Sequence, residues 1–195
     1  MSITENPGWL PASEGWMHPH EMAILNSLAM RGGNVLEIGV WKGRGTSALT
    51  NSPATVFCVD PFTGNTGEAW GDTTNTKDRF MANMAKLGRT NWSLSSKTSD
   101  DFFKGLPKDT YFRTIVIDGL HTDRQVFRDL FYSWQCLEVG GVIFVDDIWR
   151  PSVQRGVANF LQLHPEASVS SNIDFHGFRK MLPAKSGLIM GKLSL

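Results

Sequence analysis

Glu37-Ile-Gly-Val-Trp-Lys-Gly-Arg-Gly-Thr46 carries three glycines in a spacing that decides how the rest of the chain is read. The apolar run Val35–Ile38 leads into it and predicts a strand. Thr46–Thr50 leads out of it and predicts the start of a helix. Gly39, Gly43 and Gly45 let the backbone turn sharply and come close to a ligand. Val40, Trp41 and Thr46 complete the turn. A dinucleotide fingerprint needs G-x-G-x-x-G, whereas this stretch reads G-x-x-x-G-x-G. A phosphate-cradling loop needs G-x-x-x-x-G-K followed by Ser or Thr, and the chain has none.

Working outward, short apolar runs alternate with helical stretches. The first thirty-one residues predict an arm rich in Pro, Gly and Trp and then an amphipathic helix, His20 to Arg31, stopped by Gly32-Gly33. Thr55–Val59 predicts a second strand, and Lys77 to Leu87 a helix with Phe80, Met81, Met84 and Leu87 on one face. Asn91–Ser95 predicts a weak third strand and Thr114–Ile117 a strong fourth. Thr122, with Gln125 three residues on, opens a helix whose inward face carries Val126, Phe127, Leu130, Phe131 and Trp134. Gly140-Gly141 ends that region. Val142–Val145 predicts a fifth strand and Pro151 introduces a last helix. The tail predicts a hairpin, Phe175–Leu182 paired with Leu188–Leu193 around Pro183–Gly187. Such alternation implies βαβ units. The expected fold is a Rossmann-like, doubly wound α/β domain over residues 1–195, with a mostly parallel seven-stranded sheet and a C-terminal antiparallel hairpin.

The bulk properties agree with one soluble domain. The chain has 195 residues, 41% of them hydrophobic, and Lys plus Arg equals Asp plus Glu at 19 each. Balanced charge offers no general attraction to nucleic acid or acidic membrane, and no run of basic residues exceeds two. Cys58 and Cys136 lie in apolar stretches and read as buried thiols. No apolar run is long enough to span a bilayer and no leader peptide is recognisable, so the expected location is the cytoplasm. A homo-oligomer stays open.

In a parallel α/β sheet, ligands bind beyond the carboxyl ends of the strands. Here those ends carry acids. Glu37 repels a pyrophosphate and suits a cationic ligand, such as the sulfonium or amino group of S-adenosylmethionine. Asp60, at the end of the second strand, is placed to accept hydrogen bonds from ribose hydroxyls or to start a turn. Asp118 ends strand four, and Asp146 and Asp147 end strand five. Three carboxylates on adjacent strand ends would repel unless a cation sits among them, and hard oxygen donors favour Mg²⁺, Ca²⁺ or Mn²⁺. The alternative is that Asp147 only caps a turn. His121 precedes the helix N-cap Thr122, whose partial positive charge disfavours imidazolium. It reads as a neutral general base or as an orienting group for Asp118. Trp70 and Trp149 read as packing residues or as a lid.

The segments E-I-G-V-W-K-G-R-G-T, V-D-P-F, I-D-G-L-H and G-G-V-I-F-V-D-D, in that order, resemble the class I methyltransferases. The similarity is greatest to macrocin-type and catechol-type O-methyltransferases and runs from about Glu14 to Phe160. The resemblance implies S-adenosylmethionine held by Gly39 to Thr46, with Asp118 close by. It implies the ribose on Asp60 and the adenine near Phe62, Thr98 and Ser99. It also implies a magnesium ion on Asp118, Asp146 and Asp147, with a small hydroxylated molecule as methyl acceptor. Related sequences often carry an aromatic residue two positions after the histidine, where this chain has Asp123. The loop Thr63–Thr76 matches nothing in the family, so the acceptor's identity does not carry over. A metal-independent methyltransferase and a non-catalytic cofactor-binding module are the competing readings.

Overall fold

The computed structural model describes residues 8–64, 76–170 and 188–191. The chain divides into two compact units, Met1–Gly105 and Leu106–Leu195.

In the first unit a 3-10 turn over Ala12–Glu14 is followed by α1, Pro19–Ala29. Pro19 occupies the first helical turn, where its missing N–H costs nothing, and the Glu21 carboxylate accepts from the backbone N–H of His18 at 2.6 Å. Then come β1 (Asn34–Ile38), α2 (Arg44–Leu49), β2 (Thr55–Val59), α3 (Lys77–Leu87), β3 (Trp92–Ser95) and α4 (Ser99–Lys104). The strands lie in the order β3-β2-β1, all parallel. Ile38 pairs with Val59 and Val59 with Ser95. The three strands therefore end together, and the residues that follow them emerge at one edge. Val35, Leu36 and Ile38 are buried in succession, as a parallel strand covered on both faces requires.

The second unit holds β4 (Phe112–Ile117), α5 (Asp123–Gln135), β5 (Leu137–Val145), α6 (Pro151–Leu163), β6 (Ser168–Ser170) and β7 (Leu188–Gly191). Its strand order is β4-β5-β7-β6. β4 and β5 are parallel, and β7 runs antiparallel to both β5 and β6. The chain has a Rossmann-like α/β methyltransferase-type topology, mostly parallel, with antiparallel strands at the C-terminal end.

Three local readings change. Gly140-Gly141 does not end a helical region. It lies inside β5, where Gly140 takes φ 76° and the register against β4 shifts. The expected tail strand Phe175–Leu182 and its turn lie outside the described residues. β7 coincides with the start of the expected Leu188–Leu193, and the strand beside it is β6, a short Ser-Val-Ser segment with too little hydrophobic pattern to register. Phe127 and Phe131 are half-buried and stack on one another at 6.2 Å, while Val126, Leu130 and Trp134 form the buried face of α5.

Candidate functional site

The glycine turn is built on strain that only its sequence relieves. Gly43 sits at φ 91° as the N-cap of α2, a conformation open to glycine and costly for residues with a Cβ. Gly45 has no such φ, but a Cβ there would stand 2.5 Å from Oε1 of Glu37. Glu37 is 1% exposed. Its carboxylate lies under the turn, where Oε2 accepts the Thr46 hydroxyl at 2.6 Å. It also stands beside Cys58, its partner on β2, whose thiol is pushed well up by burial and then by the charge of Glu37. A thiol so placed is inert at neutral pH.

Asp60 knits the ends of β1 and β2 together. Its Oδ2 accepts from the backbone N–H groups of Val40 at 3.0 Å and Trp41 at 2.9 Å, and its Oδ1 from that of Phe62 at 2.7 Å. A carboxylate offers about four acceptor positions, so these three leave room for one more donor. Trp41 (φ 45°), Phe62 (φ 53°) and Asp147 (φ 52°) are the positive-φ non-glycine residues among the described residues. Each lies two or three residues past the end of a strand. Non-glycine residues held there cost on the order of 1–3 kcal/mol and collect at ligand sites. Thr98 is not in a free turn. It is the N-cap of α4, accepting from Asp101 N–H at 3.2 Å, and Ser99 is buried behind it.

The N-terminal arm is tied to this turn through contacts that no local pattern of its sequence marks. The arm carries few periodic apolar residues, and its partners are backbone carbonyls. Arg44, 3% exposed, donates from Nε to the Met17 carbonyl at 2.8 Å and from Nη1 to the Leu10 carbonyl. The Leu10 N–H donates to Ser47 Oγ at 3.0 Å, and Arg89 donates to the Gly8 carbonyl. Glu14 takes Arg79 Nε at 2.8 Å and Asn83 Nδ2 at 2.9 Å. The Arg79 hydrogen bond holds the Glu14 carboxyl down at about 2, against the opposing effect of burial. Met17 comes within contact of a Cβ built on Gly45, and Trp16 stacks on Trp41 with ring centroids 6.1 Å apart. His18 is the N-cap of α1.

The expected acid cluster is brought together in the second unit. Ile117 pairs with Val145, so Asp118 and Asp146 leave adjacent strand ends, and Asp146 N–H donates to the Ile117 carbonyl at 2.9 Å. His121 Nε2 lies 3.5 Å from Asp118 Oδ1 and 3.4 Å from Asp147 Oδ2. Burial disfavours the charged imidazole, but the Asp118 carboxylate and then that of Asp147 prevail and raise its pKa. Burial raises the Asp118 carboxyl, with His121 pulling it back. Thr122 caps α5 as expected, accepting from Gln125 N–H at 3.3 Å.

The same carboxylates do not fit the magnesium ion that the resemblance implies. Asp147 Oδ1 accepts the Trp149 indole N–H at 2.7 Å, and its Oδ2 faces Arg150 Nε at 2.8 Å. Asp146 Oδ1 accepts the backbone N–H of Asp147 at 2.8 Å. Among the described residues, no three His, Cys, Asp or Glu side chains group so as to hold a metal ion. Trp149 is thus tied to the cluster through its indole N–H, and Trp70 lies outside the described residues. Among the described residues, no helix is long and apolar enough to cross a membrane.

A strand, a strained glycine turn with a buried acid beneath it, and an Asp at the end of the next strand define a Rossmann-like methyltransferase. A family model described as a methyltransferase domain matches residues 36–148, more than half of the chain, and the chain belongs to that family of enzymes. No curated protein matches it by sequence. Among solved structures it is similar to an O-methyltransferase from Bacillus cereus in complex with SAH, with 19% identity, 92% of this chain and 84% of that chain covered, and TM-score 0.67. It is similar to the O-methyltransferase TomG from Streptomyces achromogenes, involved in tomaymycin synthesis and solved with SAM (14%, 92% and 82%, TM-score 0.66). It is also similar to an rRNA methylase from Streptococcus thermophilus (12%, 90% and 95%, TM-score 0.61). At these identities the likeness is one of fold.

Proposed function

We propose that the chain is a single methyltransferase domain that moves the methyl group of S-adenosylmethionine to an oxygen of a small hydroxylated molecule. The observation that carries this reading is His121 set between Asp118 and Asp147 at the strand ends. The ligands of TomG and the Bacillus cereus enzyme support the choice of donor.

When bound, the donor supplies an electrophilic methyl on a sulfonium. Residues 39–46 hold it, with the remaining acceptor position of Asp60 turned to a ribose hydroxyl and Phe62 beside the adenine. His121 takes the acceptor's hydroxyl proton. The Asp118 carboxylate, 3.5 Å away, stabilises the imidazolium that forms. An oxygen freed of its proton is the better nucleophile for an in-line displacement, and holding it in line supplies much of the rate. Nothing in these steps passes through a metal.

Calorimetric titration with S-adenosylmethionine, followed by labelled methyl transfer onto panels of phenols, catechols, sugars and ribosomal RNA, tests the reading. A base-stable methyl ether on a small molecule is the expected product. No binding of S-adenosylmethionine overturns the donor assignment, and label in RNA alone overturns the acceptor class.

A further inference from the structure

We propose that Arg150 takes the place of a divalent cation in the acid cluster, so that this chain's site works with a guanidinium built into the fold. The inference deepens the reading above and rests on it for the reaction, but not for the ion binding that tests it.

The cluster brings the Asp118 and Asp147 carboxylates to the two sides of His121, at the ends of two paired strands. Such a group needs positive charge. Arg150 provides it from a fixed position. It is the N-cap of α6, immediately before Pro151. Its backbone N–H donates to the Asp147 carbonyl at 2.9 Å, closing a tight turn, while its Nε stands 2.8 Å from Asp147 Oδ2. Its guanidinium also lies over the Trp149 ring, 5.2 Å from the centroid. Trp149 in turn donates to the other oxygen of Asp147. Both oxygens of Asp147 are thereby directed at side chains of its own turn, and its left-handed backbone holds them there. His121 Nε2 stands 3.4 Å from the same Oδ2 of Asp147 and 3.5 Å from Asp118 Oδ1.

A metal ion on Asp147 would bring a second positive charge against the Arg150 guanidinium. Arginine suits the substitute role because its planar charge is permanent, holds a fixed geometry against a carboxylate and stacks on an indole.

The test is a titration of the intact wild-type chain with Mg²⁺ and with Mn²⁺, followed by calorimetry and by melting temperature, with EDTA as the control. The expected result is no binding heat and no shift with either ion or with EDTA at millimolar concentration. Arg150→Met removes the charge and keeps much of the stem. It is expected to gain a Mg²⁺-dependent rise in melting temperature of a few degrees, as a ligand that binds only the folded state produces. Arg150→Lys keeps a cation and is expected to stay insensitive to Mg²⁺. Wild-type binding of Mg²⁺ at submillimolar concentration overturns the proposal, and so does Mg²⁺ insensitivity of folded Arg150→Met. Should Arg150→Met not fold, the wild-type titration decides alone. Titration of the same samples with S-adenosylmethionine separates the two readings: failure to bind it strikes the methyltransferase reading and leaves the ion result standing.

Discussion

Asp60 Oδ2 accepts the backbone N–H of Trp41 at 2.9 Å, across the gap between the ends of two parallel strands. Two further N–H groups, of Val40 and Phe62, close on the same carboxylate. Asp60 therefore shapes the turn as well as offering an acceptor to a ligand. Asp60→Asn replaces one acceptor oxygen by an NH₂ that faces N–H donors. It is expected to cost about 1–3 kcal/mol in chemical denaturation and to weaken S-adenosylmethionine binding at the same time. A loss of binding at unchanged stability would show a role confined to the ligand.

Gly45→Ala puts a methyl group 2.5 Å from Glu37 Oε1. Overpacking at a buried carboxylate that cannot retreat is expected to cost about 1–3 kcal/mol. Shortening the acid in Glu37→Asp makes room. The double variant should therefore be less destabilised than the sum of the two singles, a coupling that a thermodynamic cycle measures.

Glu14 makes the arm's attachment sensitive to acid. Its pKa in the folded chain is about 2, below the ordinary 4.5. A carboxyl depressed on folding contributes stability that is fully present above its unfolded pKa and is lost as pH falls through the folded one. The contribution should therefore fade between pH 4.5 and about 2. Its size is reduced by solvent screening, because Arg79 is 58% exposed. Melting curves of wild type and Glu14→Gln should differ at neutral pH and converge across that window. A gap that persists at the lowest pH would assign the effect to packing.

His121→Gln keeps a polar side chain of similar reach and removes the base. Methyl transfer is expected to fall by about 10²–10⁴-fold with the affinity for S-adenosylmethionine unchanged. Asp118→Asn should lower turnover in the same direction by withdrawing support from the imidazolium. Unchanged turnover in His121→Gln would leave His121 as an orienting residue only.

Much of the fold was legible because its signals are local. β2 and α3 fall on the expected residues, and β1, β4 and α6 fall within one or two of them, since apolar periodicity and Pro151 act over a few residues. α4 is short, and its one local mark is the cap Thr98 with Asp101 three residues on. β6 has no comparable mark. The site was legible as a set of residue types at strand ends, and Asp118, His121 and Asp147 do meet there. Arg44, Glu14, Arg79 and Arg150 were not legible as site residues, because each acts on a group distant in sequence or on its own turn.

The order of strands and helices, the glycine turn and the family all follow from the sequence alone, because backbone propensity, hydrophobic period and glycine spacing are properties of neighbouring residues. Partnership between charges is not. That Glu37 points inward to Thr46, that Asp60 is largely taken by backbone N–H groups, and that Asp147 stands against Arg150 were decided only in the tertiary structure. A buried charge is settled by whichever partner the folded chain brings within about 3–4 Å, and sequence spacing does not carry that distance.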